Sequence, residues 1–234
     1  MCLAKEIKMI QIPLFREWSF LNHGFGTRYL TEGILNNDNH YEPFSKIDLN
    51  QKHSHIIHSV DRSSGKGLEG DGLITAEPYV LLVIKTADCL PVFLIDIDKR
   101  VVGAVHCGWR GSGKRILQKA LKKMQEKYSC HTSSLYAAMG PCICRKCYEV
   151  GAEVFDFFKG EGLSLKAFHD HPDTKEKYFL DLRKVNQLQL QEIGVGKDRI
   201  LDVDTCTYCN EHLLSYRRDR NKEGRMLSFI GMSF

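Results

Sequence analysis

The chain has 234 residues, of which 43% are hydrophobic and 26% are charged, and its formal net charge is +4. This composition is ordinary for a globular protein, and at this length we expect one domain spanning residues 1–234. The positive charge is too small and too scattered to indicate nucleic acid as a partner. No stretch reaches the ~20 apolar residues that cross a bilayer. The oligomeric state stays open between a monomer and a weak homo-oligomer.

The first residues lack the apolar segment of a secretory signal. The chain also contains nine cysteines, several of them close together in the sequence. Closely spaced cysteines are typical of metal ligands or reduced thiols, which persist in a reducing compartment. We therefore expect a cytoplasmic protein without a membrane partner.

Along the chain, short strand-like segments precede a polar, irregular surface excursion over residues 31–50. Two apolar runs follow, Tyr79–Asp96 and Val101–His106, and the charged turn between them predicts a β-hairpin. An amphipathic helix comes next, with Leu117, Ala120, Leu121, Met124 and Tyr128 on its apolar face. Further strands are predicted at Ser134–Met139, Ile200–Thr205 and Met226–Ile230, and further helices at Val150–Phe158 and after the N-cap Asp181. This mixture predicts an α/β (α+β) fold, a single domain built on a large mixed β-sheet flanked by helices.

Cys89 and His106 are the most informative pair, because they lie at equal distances from the predicted hairpin turn. Opposite residues of an antiparallel pair have Cβ atoms roughly 4.5–5.5 Å apart. The hairpin therefore predicts that a thiol and an imidazole meet on a rigid scaffold. This arrangement suits either a metal site or a thiolate nucleophile.

A metal site needs a third ligand, and the segment 50–58 offers His53, His55 and His58. If this segment is a strand, His53 and His55 share one face. Zinc binds Cys and His readily, and three protein ligands with an open fourth position are typical of a catalytic zinc site. The spacing alone does not choose among the three histidines, and buried polar residues without a metal are the alternative.

Other polar residues are candidates for catalysis or anion binding. Asp71 lies at a junction between a loop and a strand, where either turn chemistry or a general acid–base role would suit it. Arg110 belongs to a glycine-rich segment at a predicted helix start, which favours an anion. Arg28 and Arg217 are further candidate anion contacts, with solvated surface arginines as the alternative.

The remaining cysteines form two short pairs, Cys144-x-x-Cys147 and Cys206-x-x-Cys209, with Cys142 nearby. Each pair has the local spacing of a zinc knuckle. The gap between the pairs, however, is about three times the usual ~15–20 residues of a compact zinc ribbon. A second metal site and free buried thiols both remain open.

The sequence resembles the bacterial laccase-domain family, also labelled polyphenol oxidase and purine nucleoside phosphorylase. The resemblance runs in order over nearly the whole chain, and the motifs TADCLP and H-x-GWRG are highly specific. The matching stretches are His23–Arg28, Asn50–His53, Gly70–Thr75, Thr86–Asp96, Gly103–Gly111, Gly140–Gly151, Asp204–Glu211, Ser215–Asp219 and Gly224–Met226.

The resemblance implies a metal site at His53, Cys89 and His106, with zinc as the metal and copper as an alternative. It further implies phosphorolysis of adenosine, inosine and methylthioadenosine, with adenosine deaminase activity alongside. On this hypothesis Arg28, Arg110 and Arg217 bind substrate, Asp71, Cys89 and His106 are catalytic, and the partners are purine nucleosides and phosphate. Three other functions stay open: a copper-dependent, laccase-like polyphenol oxidase, a cysteine hydrolase that uses Cys89 and His106, and a non-catalytic metal-binding or redox-responsive protein that uses its thiols.

Overall fold

A computed structural model describes residues 8–220 and 224–234. Its helices are α1 (Pro13–Arg16), α2 (Glu32–Asn36), α3 (Trp109–Gly113), α4 (Ile116–Tyr128), α5 (Ala152–Gly160), α6 (Leu182–Glu192) and α7 (Tyr216–Asp219). Its strands are β1 (Met9–Ile10), β2 (Leu21–Gly26), β3 (Ser45–Ile47), β4 (Ile57–Ser59), β5 (Gly72–Thr75), β6 (Val80–Thr86), β7 (Leu90–Asp96), β8 (Val101–Cys107), β9 (Leu135–Met139), β10 (Glu149–Gly151), β11 (Phe168–Asp170), β12 (Lys177–Leu180), β13 (Ile200–Asp202) and β14 (Met226–Met232).

The predicted mixed α/β architecture is confirmed, but the strands form several sheets rather than one. One sheet has the order β1-β2-β14-β6-β3, and a second has the order β13-β9-β7-β8-β5-β4. Each combines antiparallel pairs with parallel pairs at an edge. A small antiparallel sheet has the order β10-β12-β11.

The two larger sheets pack face to face around an apolar core. Phe25 of β2 stacks on Phe93 of β7, with ring centroids 4.3 Å apart. On the other face of the second sheet, α4 and α6 contribute buried side chains such as Leu117 and Leu190. Both faces of β7 and β8 are therefore covered, and every residue of these two strands is buried. This burial on both faces explains their nearly continuous apolar sequences.

The apolar run Tyr79–Asp96 is two strands rather than one. β6 belongs to the first sheet and β7 to the second, and residues 87–89 bend the chain from one sheet to the other. Asp88 at this bend has φ 83°, a left-handed conformation that is unusual for a residue other than glycine. The polar segment in the apolar run is thus a crossover between sheets, and it carries Cys89.

Residues 31–50 are not the irregular surface excursion that their polar composition predicts. They contain α2 and β3, and they bury Tyr41 and Phe44 beside Phe229 of β14. Scattered aromatic residues in a polar segment are enough to build this small core, and periodicity does not reveal them.

The amphipathic helix is confirmed as α4, although Tyr128 is only partly buried. Asp181 caps α6 as predicted, since its carboxylate accepts a hydrogen bond from the Lys184 N–H (2.9 Å). The predicted strands near β9, β13 and β14 are also present. Within the described part of the chain, no helix is both long and apolar enough to span a membrane.

Candidate metal centre

The predicted hairpin forms between β7 and β8, but its register differs from the expectation. Pro91 rather than Cys89 lies opposite His106, and Leu90 lies opposite Cys107. The turn is centred one residue later than the sequence suggested, so the pairing shifts by two residues. Because a shift of two preserves the face on which a side chain lies, Cys89 and His106 still meet, as diagonal neighbours.

Of the three candidate histidines, His53 is the one that lies beside Cys89 and His106. One side-chain donor atom from each of His53, Cys89 and His106 lies within 4.8 Å of the other two. Cys89 Sγ is 3.9 Å from His53 Nε2. The segment around His53 is not a strand, and His53 itself has φ 56°. The condition under which His53 and His55 would share a strand face is therefore not met.

The other two histidines of this segment have different surroundings. His58 Nε2 lies 2.8 Å from the Glu69 carbonyl oxygen. His55 is exposed beside Lys114 and Lys119, and burial and these charges lower its pKa. Neither belongs to the convergent group around Cys89.

Asp71 holds two of the three residues in place. It is fully buried just before β5, and His106 Nδ1 donates a hydrogen bond to its Oδ1 (2.7 Å). The same oxygen accepts the His53 N–H (3.1 Å), while Oδ2 accepts the Ser54 N–H (2.5 Å) and hydroxyl (2.6 Å). The His106 N–H in turn donates to the Asp71 carbonyl oxygen (2.7 Å). This set of bonds fixes the His106 tautomer and leaves Nε2 free to bind a metal.

The electrostatics of the centre favour a cation among these side chains. Burial raises the pKa of the Cys89 thiol, but the charge and hydrogen bond of His106 outweigh it and lower that pKa to about 6. Burial lowers the pKa of His106, but the Cys89 charge and the Asp71 hydrogen bond raise it to about 9. Burial likewise raises the pKa of Asp71, while hydrogen bonds from His106 and Ser54 bring it down to about 2. Near neutral pH, Cys89 and Asp71 are therefore negatively charged and His106 is positively charged. A metal ion can replace the proton that gives His106 this charge.

Gly108 lets the backbone pass close to the centre. A Cβ at this position would lie 3.0 Å from His53 Cδ2 and 3.2 Å from Cys89 Sγ. Gly108 is the N-cap residue of α3, so the predicted glycine-rich loop is already helical from Trp109. The requirement at Gly108 is therefore close approach to the ligands rather than a special backbone angle.

The crossover beside Cys89 is braced from outside the sheets. The Asp88 carboxylate accepts hydrogen bonds from the Thr207 hydroxyl (2.6 Å) and the Arg217 N–H (2.7 Å). The Ile143 N–H donates to the Asp88 carbonyl oxygen (2.9 Å). These contacts fix the backbone from which the Cys89 thiol projects.

Two of the three predicted substrate arginines act electrostatically on one tyrosine near the centre. Burial and the Cys89 charge raise the pKa of Tyr148, and the charges of Arg217 and Arg110 oppose that rise. The Arg217 guanidinium donates to the Glu149 carbonyl oxygen (2.9 Å) and lies 5.6 Å from the Tyr148 ring centroid. The exposed Arg110 stacks over Trp109 at 4.1 Å.

Arg28, the third predicted substrate arginine, is exposed in the loop after β2. Its N–H donates to the His212 carbonyl oxygen (3.0 Å). The pKa of Asp219 is lowered mainly by its hydrogen bond from Arg218, with a smaller contribution from the Arg28 charge. Arg28 therefore lies beside the segment around α7.

Sequence reasoning missed several residues that build the site. Ser54 gives Asp71 two hydrogen bonds, and Tyr148 is within electrostatic range of Cys89, Arg217 and Arg110. Gln51 pairs with the backbone of Lys85 through both ends of its amide (2.7 and 2.8 Å), which fixes the end of β6. Gln51 and Tyr148 lie within stretches that match the family, but no local pattern predicts contacts with partners far away in the sequence.

The sequence profile of the multi-copper polyphenol oxidoreductase laccase family matches residues 17–233. The chain belongs to this family. Among its relatives, purine nucleoside phosphorylase YlmD of Bacillus subtilis is 35% identical over 198 residues, which are 80% of this chain and 71% of that protein. A purine nucleoside phosphorylase of Clostridium acetobutylicum is 35% identical over 212 residues, covering 90% of this chain and 86% of the relative.

Solved structures agree with this assignment. The crystal structure of YlmD from Geobacillus stearothermophilus superposes with a TM-score of 0.84 at 27% identity, covering 97% of this chain and 99% of that one. The crystal structure of the Bacillus licheniformis hypothetical protein YfiH gives 0.86 at 28% identity, with 97% of each chain covered. The family resemblance inferred from the sequence motifs is confirmed.

Proposed function

We propose that this protein is a zinc-dependent purine nucleoside phosphorylase. It would cleave adenosine, inosine and methylthioadenosine with phosphate to the free base and ribose 1-phosphate or methylthioribose 1-phosphate, with adenosine deaminase as a side activity. The observation that carries the proposal is the convergence of His53, Cys89 and His106 at a solvent-accessible position, in a chain whose relatives are named purine nucleoside phosphorylases.

The donor atoms fit zinc. One thiolate sulfur and two imidazole nitrogens are ligands that zinc prefers, and bond lengths of ~2.3 and ~2.0 Å in a tetrahedron predict a sulfur–nitrogen separation of about 3.5 Å. The distance of 3.9 Å between Cys89 Sγ and His53 Nε2 is close to that value. His53 is exposed and Cys89 half-buried, so a fourth position can face solvent or substrate. Zinc, when bound, supplies a Lewis acid beside the substrate and lowers the pKa of a bound water.

The reaction forms a bond between a phosphate oxygen and C1′ and breaks the bond from C1′ to the purine nitrogen. The purine leaves with the electron pair of that bond and takes up a proton. Arg110 and Arg217, whose charges act together on Tyr148, would hold the phosphate beside C1′. Arg28 would contribute from the rim of the site.

In this proposal Asp71 positions other residues and is not the general acid–base group that the sequence suggested. It is fully buried, and both carboxylate oxygens are engaged by donors from the backbone and from His106 and Ser54. No face of the group remains for a substrate. Asp71 is therefore a positioning residue, which orients His106 and His53.

The test is incubation of inosine with phosphate and purified, zinc-loaded protein. We expect hypoxanthine and ribose 1-phosphate to form in equal amounts, and we expect no cleavage when phosphate is omitted. Adenosine would give both adenine and inosine if the side activity is present. Zinc-loaded protein that binds metal but cleaves no nucleoside would remove the phosphorylase proposal.

The same preparation separates the two enzymatic alternatives. A polyphenol oxidase requires copper, which binds nitrogen and sulfur ligands more tightly than zinc does. Phenol oxidation that appears only after copper loading, without nucleoside cleavage, would favour that function. A cysteine hydrolase would lose activity on alkylation of Cys89 and keep it after chelation, whereas a zinc-bound thiolate resists alkylation until the metal is removed.

A further inference from the structure

A second group of metal-ligand side chains lies outside the centre at Cys89. The two Cys-x-x-Cys pairs, which are 62 residues apart in the chain, come together with all four sulfur atoms within 4.8 Å of one another. The members of this four-cysteine cluster are Cys144, Cys147, Cys206 and Cys209. The long sequence gap between the pairs, which argued against a compact zinc ribbon, is closed by the fold.

The sulfur separations fit a zinc ion. In a tetrahedral site with zinc–sulfur bonds of ~2.3 Å, neighbouring sulfur atoms lie about 3.8 Å apart. Cys144 Sγ and Cys147 Sγ are 3.6 Å apart, and Cys147 Sγ and Cys209 Sγ are 3.5 Å apart. A disulfide needs ~2.05 Å, so these thiols are placed as ligands of one ion rather than as bonded pairs.

Both cysteine pairs lie in turns that are held by hydrogen bonds. Cys147 N–H donates to the Cys144 carbonyl oxygen (3.0 Å), and the Cys144 N–H donates to Cys206 Sγ (3.3 Å). Cys142 and Cys206 form a parallel β-bridge that joins the two turns. The ligands are therefore pre-positioned, which reduces the entropy lost when a metal binds.

The half-buried Arg218 side chain holds the turn that carries Cys206 and Cys209. The Arg218 guanidinium donates to the carbonyl oxygens of Thr207 (2.9 Å), Tyr208 (3.0 Å) and Asn210 (3.2 Å), all in the turn that carries Cys206 and Cys209. The same guanidinium pairs with Asp219 (2.6 Å). Arg218 therefore shapes the turn that carries the two cysteines.

We propose that Cys144, Cys147, Cys206 and Cys209 bind a second zinc ion in a closed, structural site. All four positions of a tetrahedral ion are filled by protein sulfur, which is typical of structural rather than catalytic zinc. The site does not depend on the phosphorylase activity proposed above.

The second ion would brace the first centre through Asp88. Ile143 precedes Cys144 and donates its N–H to the Asp88 carbonyl oxygen (2.9 Å), while Thr207 follows Cys206 and donates its hydroxyl to the Asp88 carboxylate (2.6 Å). Asp88 directly precedes Cys89 in the chain. A zinc ion that locks the two turns together would hold the backbone of Cys89 in place.

The experiment is a count of zinc per chain by elemental mass spectrometry. Full-length protein is loaded with zinc under reducing conditions and desalted. We expect two zinc ions in the wild type, one in C209S and one in H106A. The control C130A replaces a buried cysteine outside both groups and should retain two. One zinc in the wild type, unchanged in C209S, would overturn the proposal.

Cobalt loading gives an independent readout. In H106A the remaining cobalt would have four sulfur ligands, so its sulfur-to-metal charge-transfer absorbance per ion should be roughly fourfold that of a one-thiolate centre. This measurement decides the question even if C209S does not fold. Protein whose four cysteines form disulfides, and which takes up no cobalt after reduction, would also refute the site.

Discussion

Replacement of Asp71 by asparagine tests whether a buried carboxylate holds the metal ligands in place. The substitution keeps the shape of the side chain but converts one acceptor oxygen into an NH2 group. In one orientation the NH2 faces the Ser54 N–H, which donates at 2.5 Å in the wild type. In the other it faces His106 Nδ1, which donates at 2.7 Å, so the imidazole must change tautomer and present Nε2–H to the metal.

The expected effect follows from the bonds that are lost. Each orientation leaves at least one buried donor unpaired, at a cost of about 1–3 kcal/mol, and loses hydrogen bonds to a charged group worth about 1.5–3 kcal/mol each. We expect D71N to lower the free energy of unfolding of metal-free protein by about 2–4 kcal/mol. Loss of a residue that orients a ligand typically weakens metal binding by about 10–100-fold.

Two assays measure these effects separately. Urea denaturation of chelator-treated protein gives the stability change, and competition with a chelating dye gives the zinc affinity. Asp61→Asn is the matched control, because Asp61 also accepts bonds from a serine N–H and serine hydroxyls but is exposed. If D71N bound zinc as tightly as the wild type, the argument that Asp71 orients the ligands would be refuted.

Three further substitutions test other parts of the structure. G108A should weaken zinc binding by about tenfold, because the added Cβ would lie too close to His53 and Cys89. G33A, which adds a Cβ in open space on an exposed helix, should leave zinc binding unchanged. If G108A bound zinc as tightly as the wild type, the steric explanation would be wrong. Burial lowers the pKa of His23 to about 4 from 6.5, so the unfolded chain binds more protons below pH 6.5. The contribution of His23 to the free energy of unfolding should therefore fall by about 2 kcal/mol from pH 7 to pH 5, and urea titrations of H23Q should lack that part of the wild-type pH dependence. R110Q should raise the KM for phosphate about tenfold with little effect on the melting temperature, while K122Q, on an exposed helix face, should leave that KM unchanged.

Local patterns predicted much of the secondary structure. The spacing of Leu117, Leu121 and Met124 predicted α4, and Asp181 predicted the start of α6, because helical periodicity and capping depend on neighbouring residues. The hairpin of β7 and β8 was predicted for the same reason. One domain over residues 1–234 stays a prediction.

Long-range features were predicted less well. The apolar run Tyr79–Asp96, which contains Cys89, was interpreted as one strand. In the structure it divides between two sheets at a bend. A strand buried on both faces has no alternation to mark its end, so the apolar pattern continues across the crossover. The two-residue error in the hairpin register arose from the turn length, which the pattern does not determine.

For the candidate site, the sequence by itself determined the candidate ligands and the family to which the chain belongs. The tertiary structure decided which atoms meet: it brought His53 to Cys89 and His106, enclosed the Asp71 carboxylate among hydrogen-bond donors, and joined the four cysteines of the second cluster. The physical reason is that ligand identity is a property of single residues. Whether the ligand side chains meet depends on the packing of loops that are separated by tens of residues. No local sequence pattern predicts that packing.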